Sequence, residues 1–384
     1  MSYRQPSTQL PQSVVSSSGL TIQPQPVRLG RRFTLAWQAL GAASLALLVA
    51  GASGCKSGPE LAPSGSTVGT GVGIARLQRE SFAVRPLAKT RWSSLLLDAG
   101  ALLPPIPPRR LLKDPGTGRY FAEAELRSLS PAQRSTYQLD VVSEEDYYFG
   151  PSGSPLFYVR LLDLVGENVR GDLVGRRLLE WNYESVAALR LLAAQGAQVV
   201  GVSTSPRLRA LYSQPGDQGD IPMFGRDQAG HLMLLSGQFP VDAATRGQVG
   251  QGYDVILARN LLKRGYVHPV ETSAAAAATK VELGMADEAF LQQLLAMLKP
   301  QGRVLLYNIC PPAAPPPAPY SPDSDCRNPF TQAQWQAAGF RVRDYDRNDS
   351  AALRELAHAL GWDQGQQAVA IDNLIGTYTL VERL

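Results

Sequence analysis

The stretch that decides the fold, residues 176–206, reads RRLLEWNYESVAALRLLAAQGAQVVGVSTSP. A short apolar strand ends there at Glu180, and an apolar helix rich in Ala and Leu follows over Val186–Ala194. A second strand covers Val199–Val202, and Pro206 opens a further helix. This strand–turn–helix–strand order indicates a parallel β-sheet covered by helices.

The same alternation continues to the end of the chain. The predicted strands are Arg177–Glu180, Val199–Ser203, Leu232–Leu235, Asp254–Leu257, Arg303–Asn308, Phe340–Tyr345 and Ile375–Glu382. The predicted helices lie near Ser185–Ala194, Pro206–Tyr212, Glu282–Leu298, Thr331–Ala338 and Ser350–Leu360. The pattern predicts an α/β fold with a parallel sheet and helices on both faces.

The unit at 176–206 resembles the first half of the class I S-adenosylmethionine methyltransferases. In that family three glycines follow an acidic strand end, and the second strand closes on another acid. The glycine positions here are Asn182, Glu184 and Val186, and Ser203 stands at the second acid. The resemblance covers about residues 175–384. It implies a Rossmann-like, mostly parallel sheet of seven strands, with an antiparallel last strand beside the fifth.

The resemblance also implies a set of cofactor positions, which are Glu180, Asn182, Ser203, Gln238 and Asn260. Glu180 keeps the family's acid, whereas Ser203 replaces the acid that would hold the ribose. Asn182 is expected to cap the helix, and Glu184 to complement the helix dipole from the first turn. The Glu184 carboxylate would repel that of the cofactor, because two like charges ~4 Å apart cost on the order of 4 kcal/mol at a partly buried site.

Two functions follow from this degenerate loop. In the first, the domain does not use S-adenosylmethionine, and it binds a small polar ligand or serves as a scaffold. The alternative is an active methyltransferase that acts on a small molecule, with S-adenosylmethionine as its cofactor. The fold signal alone does not choose between them.

A second candidate site follows the fourth predicted strand, at the sheet edge where ligands bind in open α/β folds. Its catalytic candidates are Tyr266 and His268. The imidazole of His268 could act as a base, because the unperturbed pKa of histidine lies near neutrality. Its substrate candidates are Lys263, Arg264, Asn308 and Tyr320. The alternative is a solvated loop with one packing tyrosine. The three histidines of the chain show no metal-ligand spacing, so no metal site is expected.

The first 54 residues look like a bacterial lipoprotein signal. Arg31-Arg32 precede an apolar run over 33–50, and small residues then lead to Cys55. This resemblance implies a lipid on Cys55 and a protein held on the membrane at the periplasmic face of the cell envelope. The alternatives are an uncleaved membrane anchor, or a misassigned start that would leave the protein cytoplasmic.

The net charge of +4 belongs to this leader. Residues 1–54 hold four arginines and no acid, which leaves 33 basic and 33 acidic residues in the rest of the chain. A nucleic-acid partner is not expected, because it needs a clustered positive surface.

The order of segments is then a signal peptide (1–54), a tether and irregular segment (55–90), an N-terminal helical extension (91–170) and the methyltransferase-like domain (171–384). Within the extension, Ser130-Pro131 and Ser154-Pro155 are typical helix starts. In the domain, Cys310 and Cys326 bracket a proline-rich loop. They are predicted to form a disulfide in an oxidising compartment, the alternative being two free thiols.

Overall fold

The computed structural model describes residues 71–384 apart from 101–102, 123, 151–152, 224–225, 272 and 366–367. The predicted signal peptide, Cys55 and most of the tether therefore lie outside the described residues. Within the described part of the chain, no helix is both long and apolar enough to cross a membrane.

The strands are β1 (Arg109–Lys113), β2 (Tyr120–Ala122), β3 (Gln138–Val142), β4 (Arg177–Trp181), β5 (Gln198–Ser203), β6 (Gly219–Pro222), β7 (Ala229–Ser236), β8 (Tyr253–Arg259), β9 (Leu298–Cys310), β10 (Phe340–Asn348) and β11 (Ile375–Arg383). The helices are α1 (Val72–Val84), α2 (Arg91–Ala99), α3 (Pro131–Ser135), α4 (Glu144–Tyr148), α5 (Tyr158–Gly166), α6 (Val186–Ala193), α7 (Pro206–Leu211), α8 (Ala243–Val249), α9 (Arg264–Val267), α10 (Ala274–Thr279), α11 (Asp287–Met297), α12 (Gln332–Ala337) and α13 (Ser350–Ala359).

Strands β4 to β11 form one sheet with the order β10-β11-β9-β8-β4-β5-β7-β6. Strands β4, β5, β7, β8 and β9 are parallel, and β11 runs antiparallel between β9 and β10. The predicted Rossmann-like sheet with an antiparallel last strand beside the fifth is thus confirmed. The pattern does not predict the additional edge strand β6, because its Gly219 and Pro222 are residues typical of turns.

Helices cover both faces of the sheet, so alternate strand residues enter two separate cores. In β4, Leu178 packs beneath the extension and α6, whereas Leu179 packs in the opposite core with Phe290 of α11. In β9, Leu305 and Leu306 divide in the same way. Burial on both faces explains why these strands read as unbroken apolar runs.

The N-terminal extension contains more than helices. Strands β1 to β3 form a separate antiparallel sheet with the order β2-β1-β3. Helix α1 occupies Val72–Val84, where the sequence predicts a tether and irregular structure. The two predicted helix starts are present: Ser130 caps α3, and Ser154 caps a single 3-10 turn, Pro155–Phe157, that runs into α5.

Buried polar contacts fasten the extension to the sheet domain. Arg109 of β1 donates to both carboxylate oxygens of Asp217 at 2.6 Å, and the Tyr147 hydroxyl donates to the same carboxylate at 2.7 Å. Arg160 of α5 makes a similar two-point contact with Asp349, just before α13. Because these charges are buried, removing one partner would leave the other uncompensated.

Candidate functional site

The loop after β4 makes a left-handed turn at a residue other than glycine. Asn182 has a φ of 65°, and its backbone amide donates to the Val202 carbonyl at 2.7 Å. An asparagine tolerates this conformation better than most residues with a side chain. The helix-capping role expected for Asn182 is wrong, however, because α6 begins only at Val186 and Ser185 is its N-cap residue.

Glu184 lies before α6 and makes an ion pair across the sheet edge. The expectation that it stands in the first helical turn is therefore wrong. Its carboxylate accepts a hydrogen bond from the guanidinium of Arg259, the last residue of β8, at 2.5 Å. Arg259 is only 8% exposed. The pair joins the loop after β4 to the end of the neighbouring strand.

The 3-10 turn Pro155–Phe157 and the start of α5 contribute aromatic rings to the same place. The guanidinium of Arg259 lies 5.6 Å from the ring centre of Phe157 and 5.5 Å from that of Tyr158. The Tyr158 hydroxyl donates to one oxygen of Glu180 at 2.6 Å. The Arg259 guanidinium therefore lies within cation–π distance of two rings and is paired with Glu184.

Glu180 is buried at the end of β4, with 1% of its surface exposed. Its second oxygen, Oε2, has no hydrogen-bond partner among the described residues. Burial raises the pKa of Glu180 to about 8, although Tyr158 and Arg259 oppose the shift. Burial thus favours the neutral, protonated carboxyl group over the carboxylate.

The N-terminus of α6 is already occupied by groups of the chain itself. The backbone amide of Val186 donates to the Tyr212 hydroxyl at 3.2 Å, and that hydroxyl donates to the Tyr147 carbonyl at 2.9 Å. The extension also contacts the loop at Gly150, where an added Cβ would stand 2.7 Å from the Glu184 carbonyl oxygen. The segment before α5 thus lies directly against the loop.

The other three predicted cofactor positions, Ser203, Gln238 and Asn260, differ from one another in their contacts and exposure. Ser203 is buried, and its hydroxyl accepts the Ser205 amide at 3.2 Å. Gln238 is exposed. Asn260, with a φ of 51°, uses its side-chain oxygen to accept the Ile309 amide at 2.7 Å. Asn260 therefore holds β8 to β9.

Lys263 and Tyr266, from the second predicted site, lie near Glu184. The Lys263 ammonium is 3% exposed and donates to the Ile309 carbonyl at 2.8 Å, 5.0 Å from the centre of the Tyr266 ring. Burial lowers the pKa of Lys263 to about 8, and the charges of Asp323 and Glu184 partly offset this. The Tyr266 hydroxyl donates to Asp323 at 2.7 Å.

Asn308 and Tyr320 support the proline-rich loop that follows β9. The Asn308 amide group donates to the carbonyls of Leu262 and Cys326, both at 3.1 Å. Its side-chain oxygen has no partner among the described residues. Tyr320 donates to Asp325 at 3.4 Å. Cys310 and Cys326 are joined by a disulfide, and their Cα atoms are 5.9 Å apart.

Two residues of the second predicted site, His268 and Arg264, contact other parts of the chain. The His268 imidazole pairs with Asp287 of α11 at 2.9 Å and meets the Phe330 ring edge to face. The backbone of Arg264 donates to the Arg327 carbonyl at 2.7 Å. No group of three or more His, Cys, Asp or Glu side chains in the described part of the chain could hold a metal ion.

Three residues that make contacts at this edge had no role assigned from the sequence: Tyr158, Tyr212 and Arg259, of which Arg259 begins the segment of the second candidate site. Arg259 has a sequence signal, since it ends an apolar strand at the edge where such sheets bind ligands. Tyr158 belongs to the extension, and only tertiary packing brings it to β4. Tyr212 looks like an ordinary core residue at the end of α7.

No family model and no curated protein matches this sequence. Among solved structures, the chain is similar to the cyclase SpnF, with 16% identity over 58% of this chain and 80% of that one and a TM-score of 0.32. It is also similar to the cyclopropane synthase MmaA2 from Mycobacterium tuberculosis, with 15% identity over 59% of this chain and 84% of that one and a TM-score of 0.33. A third similar structure is the magnesium protoporphyrin IX methyltransferase of Synechocystis PCC 6803, with 14% identity over 60% of this chain and 79% of that one and a TM-score of 0.30.

At these identities the likeness concerns the fold alone. The topology of the sheet defines the class: an α/β domain with a methyltransferase-like, Rossmann-type fold.

Proposed function

We propose that this chain is a lipid-anchored envelope protein whose methyltransferase-like domain does not use S-adenosylmethionine and serves as a scaffold. The observation that carries the proposal is the Arg259–Glu184 ion pair at 2.5 Å, placed where the fold would receive its cofactor. Arg259, Lys263 and the first amide of α6, which could recognise an anionic ligand there, are each bound to another group of the chain.

S-adenosylmethionine does not fit the residues of this edge. The first amide of α6 is taken by Tyr212, so it does not face a ligand carboxylate. The Glu184 carboxylate is already paired with Arg259, so a ligand carboxylate would have to compete with Glu184 for that guanidinium. Ser203 offers one hydroxyl in place of an acid, and that hydroxyl already accepts the Ser205 amide, whereas a carboxylate would offer two oxygens to the ribose.

A scaffold is better supported than a site for a small polar ligand. Lys263 and Tyr266 direct their polar groups to Ile309 and Asp323. Asn308 donates to two backbone carbonyls beside the disulfide. These contacts fix the proline-rich loop against β9, so the side chains proposed from the sequence as ligand-binding act here in support of the fold.

The envelope location rests on the order of residues that ends at Cys55. The Cys310–Cys326 bond supports it, since disulfides persist in oxidising compartments. S-adenosylmethionine is a cytoplasmic metabolite, so an exported domain would meet little of it. Export and a changed cofactor loop therefore agree with each other.

A second candidate function is an active methyltransferase. Two observations favour it: Asn182 keeps the left-handed turn, and the Oε2 atom of the retained Glu180 has no partner among the described residues. Under this alternative the Glu184–Arg259 bond would have to open to admit the cofactor.

A thermal unfolding measurement separates the two functions. A ligand present at 100 times its Kd stabilises a protein by about 2.7 kcal/mol. We expect millimolar S-adenosylmethionine to leave the Tm unchanged, and a rise of several degrees would support the methyltransferase.

The anchor is tested separately by expressing the wild-type chain and Cys55→Ala and separating membranes from soluble protein. The wild type should carry a lipid on Cys55 and sediment with membranes, whereas Cys55→Ala should lack the lipid and lose that association. An unlipidated wild type would refute the anchor without bearing on the cofactor.

A further inference from the structure

Helix α1 has one buried and one exposed face. Leu77 and Val84 are fully buried on the inner face. The outer face carries Val72 and Phe82, and Phe82 is 83% exposed, the highest value for any large apolar side chain in the described residues. Ala75 and Ala83 are exposed beside them. The spacing places these residues on one stripe of the helix.

The charges around this stripe are almost all positive. Arg79 lies on it, and Arg85, Lys89 and Arg91 follow it; all four are exposed. Arg85 pairs with the exposed Asp98 at 2.8 Å. No carboxylate in the described part of the chain pairs with the other three. The one acid of α1, Glu80, is buried and bound to Arg76.

The place of α1 in the chain limits what can reach this face. It begins at Val72, and the sixteen residues 56–71 separate it from Cys55. A chain of that length spans at most about 55 Å when fully extended. A lipid on Cys55 would therefore keep α1 close to a bilayer at all times, which raises the effective concentration of this face at the membrane.

We infer that the exposed stripe of α1 (Val72, Arg79 and Phe82), with the exposed cations that follow it in sequence (Arg85, Lys89 and Arg91), rests on an anionic phospholipid bilayer. Phe82 enters the boundary between headgroups and acyl chains, and the cations meet the lipid phosphates. Each Lys or Arg near an anionic surface adds to the attraction, which salt weakens. The inference rests on the proposed lipid anchor.

A second copy of the chain fits this face less well. A two-fold contact places the same patch opposite itself, which would bring Arg79 and its neighbouring cations together. Like charges facing each other across an interface disfavour association. A bilayer containing anionic lipid offers the opposite charge together with an apolar interior.

The test uses the full chain in vesicles of phosphatidylethanolamine and phosphatidylglycerol. A nitroxide is attached at Phe82→Cys, and the matched control is Val141→Cys, an exposed apolar position on strand β3 of the extension. We expect the ratio of oxygen to nickel accessibility to be several-fold higher at 82 than at 141. That ratio should fall in 1 M salt or in vesicles of phosphatidylcholine alone.

Equal ratios at the two positions would overturn the inference. Protection of position 82 from both reagents would overturn it too, because another protein segment or a second copy would then cover the face. Mass spectrometry of Cys55 on the same sample separates the two proposals. A lipidated chain with position 82 in water refutes only the docking face, and an unlipidated chain with position 82 in the bilayer refutes only the anchor. A chain that stays off the vesicles refutes both.

Discussion

The hydroxyl of Tyr158 donates to the carboxyl group of Glu180 at 2.6 Å, so helix α5 of the extension closes the end of strand β4. Both side chains are buried. The extension is therefore part of the sheet edge at which methyltransferase-like folds bind their ligands. Any account of this edge has to include residues that precede the sheet domain in sequence.

The first prediction concerns the pH dependence of stability. Burial raises the pKa of Glu180 from 4.5 to about 8, so the folded protein binds this proton more tightly than the unfolded chain does. Its stabilising contribution is fully present below pH 4.5 and is lost as the pH rises to about 8. Glu180→Gln keeps the size and shape of the side chain but removes the group that titrates. In urea unfolding at pH 5 and pH 8, the wild type should lose a few kcal/mol relative to this variant.

Lys263 does not confuse that comparison. Burial lowers the pKa of Lys263 from 10.5 to about 8. Its titration therefore changes the free energy of unfolding only between about pH 8 and pH 10.5, where stability rises with pH, opposite to the effect of Glu180. Parallel pH profiles for the wild type and Glu180→Gln would show that Glu180 ionises normally in the folded protein.

The second prediction concerns the ion pair. Glu184→Gln keeps a hydrogen-bond acceptor but removes the charge that compensates the buried Arg259, so the free energy of unfolding should fall by about 2 kcal/mol. The matched control is Glu282→Gln in the exposed pair with Lys280, where a change below about 0.5 kcal/mol is expected. Equal effects of the two substitutions in denaturant unfolding would contradict the buried role of Arg259.

The third prediction concerns the disulfide. It closes the proline-rich loop between β9 and α12, and a loop of this length is stabilised by ~3 kcal/mol in the chain-entropy account. A reducing agent should lower the Tm of the wild type but leave the double variant Cys310→Ser/Cys326→Ser unchanged. Two titratable thiols in the protein isolated from the envelope would rule the bond out there.

Much of the fold follows from local sequence. The alternation of apolar strands with Ala/Leu-rich helices predicts the parallel sheet, because burial on both faces leaves continuous apolar runs at Val199–Val202 and elsewhere. Strands β1 and β2 are not predicted, since Arg109–Lys113 and Tyr120–Ala122 are short and follow a proline cluster. Strand β6 is only four residues long and contains Gly219 and Pro222.

The site is harder to predict than the fold, because its contacts join distant parts of the chain. Asn182, Glu184 and Ser203 stand out against a family pattern, and their positions in the loop are visible in sequence. The partners of Glu180 and Glu184 are Tyr158 and Arg259, which no spacing rule connects to them. The capping error at Asn182 arises because a left-handed asparagine and a cap residue have the same sequence signature.

The most direct test of the account is isothermal titration of S-adenosylmethionine into the protein of residues 56–384. The matched variant combines Asn182→Gly, Glu184→Gly and Ser203→Asp. Its affinity should exceed that of the wild type, because the glycines let the cofactor approach the loop backbone, the Glu184 charge is removed and an acid for the ribose is restored. Circular dichroism checks that both proteins are folded. For the wild type we predict no saturable heat up to millimolar cofactor. A saturable isotherm with a micromolar Kd would contradict the claim that the Glu184–Arg259 ion pair occupies the place where the cofactor would bind.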